Sequence, residues 1–194
     1  MNKKDSDKIA LFDMDGVLCD YEGTLIKDLE NLRSPNEKPI KEVFGEKVPE
    51  YIKKRMILIK SNPNWWINLP KYKPGWDLLK LAKQIGFRII ILSKNPGHNP
   101  EALSGKKKWV ENNIDRDLEV ILTSDKGLVY GRILVDDYPG FAKRWLEHRP
   151  NGIVIMPVNR NNKNFKHPQV IKYNGKNLAQ IKKVMKNAFN RVIK

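Results

Sequence analysis

Three residue groups in this sequence carry reactive potential. Asp13 and Asp15 stand two residues apart in Asp13-Met14-Asp15-Gly16-Val17-Leu18, and a second pair, Asp136-Asp137, closes the apolar run Ile133–Val135. One carboxylate of such a pair can act as nucleophile while the other carries a proton. A carboxylate oxygen and a main-chain carbonyl from the same stretch also suit a hard cation such as Mg2+, which binds a few carboxylates together with water and phosphate oxygens. Ser93 follows the run Phe87–Leu92 and offers a hydroxyl to a phosphate oxygen. Each group has a plainer reading taken singly. Asp-Gly suits a turn, a lone Asp caps a helix, and a serine after a strand closes a loop. Three strand ends bearing these groups in this order make coincidence a poor account.

The elements that position them follow from apolar periodicity. Ile9–Phe12, Phe87–Leu92, Leu118–Leu122, Ile133–Val135 and Ile153–Met156 are continuous apolar runs without alternation, the pattern of parallel strands covered on both faces. Helical spacing over Gly75–Ile85, Lys106–Asn113, Gly140–Glu147 and Leu178–Val192 alternates with the later runs, so the fold class is α/β. In such sheets ligands sit beyond the carboxyl ends of the strands, where Asp13, Ser93 and Asp136 are expected. From Thr24 to Tyr72 no strand is legible. Helical patterns over Leu25–Leu32, Ile40–Phe44 and Val48–Ile59, broken by prolines, predict an inserted helical subdomain. The expected division is a core of residues 1–23 and 73–194 and a cap of residues 24–72.

Composition narrows the class of protein. The chain has 194 residues, enough to bury a substantial core. Cys19 is the single cysteine, which excludes an internal disulfide framework and a cysteine-rich zinc site. Charges interrupt every window of transmembrane length, and Met1-Asn2-Lys3-Lys4-Asp5 enters a strand-like run without a secretory apolar region. The expected location is therefore the cytoplasm, with no membrane partner. Lys and Arg number 37 against 22 Asp and Glu, a formal charge of +15. That field attracts phosphorylated partners, but the lysines are spread along the chain rather than gathered in one tail, as on a solvated surface.

Asp13-x-Asp15-Gly-Val, Ser93 after an apolar strand, a lysine near position 106 and Asp136-Asp137 resemble the four motifs of the haloacid dehalogenase-like (HAD) hydrolase superfamily. More closely, the chain resembles the 5'(3')-deoxyribonucleotidases. The matching stretches are DMDGVLCDYEG, NPNWWINL followed by PGW, GKKKWVENN, and ILTSDK leading to ILVDD. The resemblance implies a three-layer Rossmannoid core with a mostly parallel sheet and a small helical cap after the first strand. It also implies Mg2+-dependent hydrolysis of a phosphomonoester, a (deoxy)nucleoside monophosphate above all, through an aspartyl-phosphate. Asp13 would be the nucleophile and Asp15 the acid and base. Asp13, the Asp15 carbonyl and Asp136 would hold Mg2+, while Asp137 orients the metal's surroundings. Ser93 and a lysine would bind phosphate oxygens. Among the consecutive Lys106, Lys107 and Lys108, the family spacing to Trp109-Val110 selects Lys106, with Lys126 a weaker candidate. Tyr21, Trp65 and Trp66 resemble aromatics that contact the base, although tryptophans in a small cap also serve as its core.

The chain departs from the family pattern in places. Lys94 is an extra residue in Ser93-Lys94-Asn95-Pro96, Tyr138 stands where related enzymes often have a basic residue, and nothing from about residue 141 onward matches a motif. Two rival functions remain: a phosphatase acting on nucleic-acid ends, and a non-catalytic nucleic-acid-binding protein that uses the basic surface.

Overall fold

The strand order of the sheet is β3-β2-β1-β4-β5-β6, and every pairing is parallel. In this computed structural model, which describes residues 7–45 and 47–192, the strands are β1 (Ile9–Phe12), β2 (Arg88–Lys94), β3 (Val120–Thr123), β4 (Ile133–Val135), β5 (Ile153–Pro157) and β6 (Val170–Tyr173). The Met1–Asp5 segment discussed above lies outside the described residues. The sheet order reverses between β1 and β4, the switch point at which open α/β sheets bind ligands.

The central strands are apolar throughout because both their faces are covered. Ala10, Leu11, Phe12, Ile133, Leu134 and Val135 are all fully buried. Leu11, Leu134, Val154 and Met156 pack with Ala142, Trp145 and Leu146 of α7 (Pro139–Glu147). Helix α5 (Lys73–Ile85) packs against β2 and α8 (Leu178–Asn190) against β6, and the two helices touch each other. Helix α5 stops at Gly86, whose φ of 102° is the left-handed cap that glycine adopts at low cost.

The chain divides into two compact units. One holds the sheet with α5, α7 and α8; the other comprises Asp20–Pro70 and Pro96–Arg116. The second contains α1 (Tyr21–Asn31), α2 (Ile40–Val43), α3 (Glu50–Lys60), α4 (Pro63–Ile67) and α6 (Pro100–Asn113). Its core joins Leu25, Leu29, Ile40 and Ile52. Sequence periodicity bounded a helical insert at 24–72, whereas this unit also contains α6. Gly105 of α6 approaches so closely that a Cβ there would lie 2.5 Å from Trp66 Cβ, and the Trp109 indole donates to Leu69 O at 2.7 Å. The stretches NPNWWINL and GKKKWV are thus two sides of one helix contact.

Two other elements differ from the sequence reading. Strand β6 adds to the five expected, and β2 runs on through Ser93 instead of ending before it. A four-residue edge strand bearing Lys172 lacks the apolar run of its neighbours, and edge lysines discourage further strand pairing.

Candidate active site

The ends of β1 and β4 are tied together. The Asp13 N–H donates to Val135 O at 2.9 Å, which sets the first carboxylate beside the strand that carries the second pair. Beyond Asp13 the chain folds into a tight loop in which Met14 O accepts from the N–H groups of Leu18 at 2.8 Å and Cys19 at 3.0 Å. Gly16 sits at φ 76°, and a Cβ there would lie 2.6 Å from Asp137 Oδ2. Both the dihedral and the approach call for glycine. The first turn of α5 supports this loop: the Trp76 indole donates to Leu18 O at 2.9 Å, and a Cβ on Gly75 would fall 1.8 Å from Val17 O. The Pro74-Gly75-Trp76 stretch therefore shapes the Asp13–Cys19 loop.

Asp13, Asp136 and Asp137 converge, with one oxygen from each within 4.8 Å of the others. The wholly buried Lys126 places Nζ 3.0 Å from Asp13 Oδ1 and 2.6 Å from Asp136 Oδ2. Asp136 Oδ1 accepts from the Tyr138 N–H at 2.9 Å, so both oxygens of this carboxylate are engaged. Asp137 is held from the loop after β5. Asn159 Nδ2 donates to its Oδ2 at 2.7 Å, and the buried Asn162 donates from Nδ2 to the Asp137 and Pro157 carbonyls at 2.9 and 2.8 Å.

Charge in this cluster is unbalanced. Burial pushes the Asp136 carboxyl up to about 6, with Lys126 pulling against the rise and Asp13 adding to it. Burial, then the negative charges of Asp136 and Asp13, raise Asp137 well above the usual carboxylate range. Burial also works against the Lys126 charge, but Asp13 and Asp136 outweigh it and hold the ammonium protonated. Among the described residues, the carboxylates of Asp13, Asp136 and Asp137 gather beside the Lys126 ammonium in a site of oxygen donors. That donor set fits Mg2+, a hard cation that relieves the repulsion raising both carboxyls.

The other expected site residues fall in several places. The Asp15 carboxylate is not one of the three converging groups; the Cys19 Sγ lies 3.9 Å from its Oδ1. Ser93 is buried on β2, which pairs directly with β1. Lys106 belongs to the helical unit, buried on α6 with Nζ 5.2 Å from the centre of the Trp66 ring. Tyr21, Trp65 and Trp66 pack on one another there. Tyr21 stacks on Trp66 at 5.6 Å, and Trp65 meets Trp66 edge-on at 5.0 Å. Trp66 is only 3% exposed and donates to Lys60 O, while the Trp65 indole donates to Asp28.

Lys126, which the sequence ranked below Lys106, meets Asp13. Asp137 belongs to the cluster itself. Asn159 and Asn162 passed unnoticed, although an asparagine-rich loop after a strand's carboxyl end was the available signal.

A cluster of carboxylates at the switch point of a 3-2-1-4-5-6 parallel sheet agrees with the resemblance to the haloacid dehalogenase-like hydrolases. The crystal structure of a "putative haloacid dehalogenase-like hydrolase" from Burkholderia xenovorans LB400 has the same fold, with a TM-score of 0.58 and 13% identity over 95% of this chain and 99% of that one. The family model "5' nucleotidase, deoxy (Pyrimidine), cytosolic type C protein" matches residues 7–187, and the chain belongs to that family of HAD-type nucleotidases. A Bordetella pertussis protein named "Putative 5'(3')-deoxyribonucleotidase" is 30% identical over 151 residues, 71% of this chain and 80% of that one. The human "5'(3')-deoxyribonucleotidase, cytosolic type" is 25% identical over 140 residues, 66% of this chain and 69% of that one. Among the described residues, no helix is long and apolar enough to cross a membrane.

Proposed function

We propose that the protein hydrolyses the phosphomonoester of (deoxy)nucleoside monophosphates through an aspartyl-phosphate, with Asp13 as nucleophile. The observation that carries this reading is the meeting of Asp13, Asp136, Asp137 and Lys126 at the β1/β4 switch point. An Asp13 carboxylate oxygen attacks phosphorus and the bond to the nucleoside oxygen breaks. Asp15 gives that oxygen its proton. Asp15 then takes a proton from water, whose oxygen attacks phosphorus and releases Asp13 with inorganic phosphate. Lys126, with Nζ 3.0 Å from Asp13 Oδ1, offsets charge on the transferring oxygens, and Ser93 donates a hydrogen bond to one of them.

Asp13, Asp136 or Asp137, and the Asp15 carbonyl would hold Mg2+, which when bound offsets the repulsion between the anionic nucleophile and the anionic ester. Asp137 is the better placed of the last pair, since Lys126 and the Tyr138 N–H already occupy both oxygens of Asp136.

Tyr21 and Trp65 of the helical unit would offer aromatic surface to the base, and Lys106 would contribute positive charge. The family description and the names of its relatives support the nucleotide as substrate and the cytosol as location.

The test is phosphate release over deoxy- and ribonucleoside monophosphates, sugar phosphates and phosphorylated oligonucleotides, with Mg2+ and with chelator. Mononucleotides should be turned over best, only with Mg2+, and folded Asp13→Asn should be inactive. Substantial turnover by that variant sinks the mechanism. Preferred cleavage of oligonucleotide ends, with a steep loss at higher salt, hands the assignment to an end phosphatase, which the +15 charge would serve.

A further inference from the structure

A lysine ammonium rides on four methylenes and is hard to hold at one point. Yet Lys126 Nζ contacts both Asp13 and Asp136. Its backbone offers little restraint of its own, because residues Lys126–Leu128 form a single 3-10 turn.

The restraint comes from Asp125. Its Oδ1 accepts the Gly127 N–H at 2.8 Å and caps the turn, while its own N–H donates to Thr123 Oγ1 at 3.1 Å. The same carboxylate is gripped by Arg144. Nε lies 3.0 and 3.1 Å from Oδ1 and Oδ2, and Nη2 lies 2.7 Å from Oδ2. Arg144 Nη1 donates in turn to Glu147 Oε2 at 2.8 Å, which fixes the fork along the helix. Arg144 stands on α7, which begins two residues after Asp137. One turn earlier on that helix, Phe141 lays its ring 4.6 Å from Lys126 Nζ. Asp136, α7, Arg144, Asp125 and Lys126 thus form a closed ring of covalent and polar links.

We propose that Arg144, through its fork on Asp125, is a positioning residue that fixes the Lys126 ammonium against Asp13 and Asp136 for phosphoryl transfer. The proposal rests on the function argued above. The Arg144 and Asp125 side chains are 43% and 30% exposed, so water screens even this forked pair and limits what it adds to global stability. Their effect should therefore fall on the spacing of the site, and an ångström of misplacement there is costly to rate.

Arg144→Gln in the full chain tests it. The expected result is a loss of about tenfold or more in kcat with KM changed less than about twofold, and a melting temperature within about 3 °C of wild type. Introduced into Lys126→Met, the same change should cost less than about twofold, since the group it positions is gone. Crystal structures of wild type and Arg144→Gln should show Lys126 Nζ leaving hydrogen-bond reach of at least one of the two carboxylates. Equal losses in both backgrounds, or a Lys126 unmoved in the Arg144→Gln crystal, would overturn the proposal. If wild type releases phosphate from no phosphomonoester, the proposed function fails on its own, and the crystal structures still decide the positioning claim.

Discussion

Lys126 Nζ lies 2.6 Å from Asp136 Oδ2, and both side chains are wholly closed to water. Removing one partner of such a pair typically costs about 3–5 kcal/mol because the remaining charge is stranded. Lys126→Met should therefore unfold more readily without Mg2+ and regain stability as Mg2+ is added. Its kcat should fall about 100-fold or more, the scale of losing one fixed charge-stabilising donor. Lys106→Met, which alters a side chain over Trp66, should lose less. Steady-state rates and melting curves of the two variants decide it; the opposite order would return the phosphate-binding role to Lys106.

The raised carboxyls predict how metal binding depends on acidity. The folded value of Asp136 stands near 6 against a usual 3.8, so its proton favours the folded, metal-free state. That contribution is complete below 3.8 and disappears as pH rises through about 6. Mg2+ requires ionised carboxylates and must displace the proton at lower pH. Mg2+ affinity measured by calorimetry should weaken from neutral pH towards pH 5, by up to about tenfold per unit for each proton displaced. A flat profile would mean that Asp136 and Asp137 do not take part in binding.

Gly75→Ala is expected to damage the site from a distance. The new methyl would fall 1.8 Å from the main-chain oxygen of Val17, and a backbone atom held in the Asp13–Cys19 loop cannot swing aside. Overpacking of this kind costs about 1–3 kcal/mol, and the displaced loop carries Asp15. Thermal melts and kcat should both decline, whereas Gly45→Ala, with nothing within 4 Å, should leave them near wild type.

Much of this was legible in the chain itself, for physical reasons. Strands β1, β2 and β4 are apolar because both faces are covered, and the carboxylates at their ends were readable from position. What escaped depends on contacts distant in sequence. Gly105 and Trp66 belong together only because a missing Cβ lets α6 onto α4. Nothing local to Lys126 distinguishes it from Lys106 until the 3-10 turn folds against α7. Asn162 reads as an ordinary loop residue until the Asp137 and Pro157 carbonyls are seen to share its amide.

Acid should weaken the helical unit through two half-buried carboxylates. The Ile40 N–H, followed by Arg33, holds Glu30 below its usual 4.5, and Arg55 does the same for Glu37. A carboxyl depressed by folding stabilises in full above 4.5, and that contribution is lost as pH falls through its lower folded value. Glu30→Gln with Glu37→Gln should therefore lower the urea midpoint near neutral pH and converge with wild type at about pH 3. A difference that persists undiminished in acid would mean that these glutamates act by packing rather than charge.

The aromatic trio of the helical unit should divide by burial. Trp66 is 3% exposed, stacked by Tyr21 and bonded to Lys60 O, so Trp66→Ala opens a cavity. Such a change costs about 3–5 kcal/mol and should depress every activity in parallel with a lowered melting temperature. Tyr21 and Trp65 keep partly exposed surface. If either meets the base, its alanine variant should lose about 1–3 kcal/mol of leaving-group binding, roughly 5- to 150-fold in kcat/KM for a nucleotide. A small aryl phosphate has no nucleobase and should be spared, because in the proposed mechanism Asp13, Asp15, Ser93 and Lys126 act on the phosphoryl group common to both substrates. Measuring kcat/KM for a deoxynucleoside monophosphate and an aryl phosphate, with a melting temperature for each variant, separates the two roles. Parallel losses on both substrates at Tyr21 and Trp65 would place these rings in the core of the unit with Trp66 and remove them from base recognition.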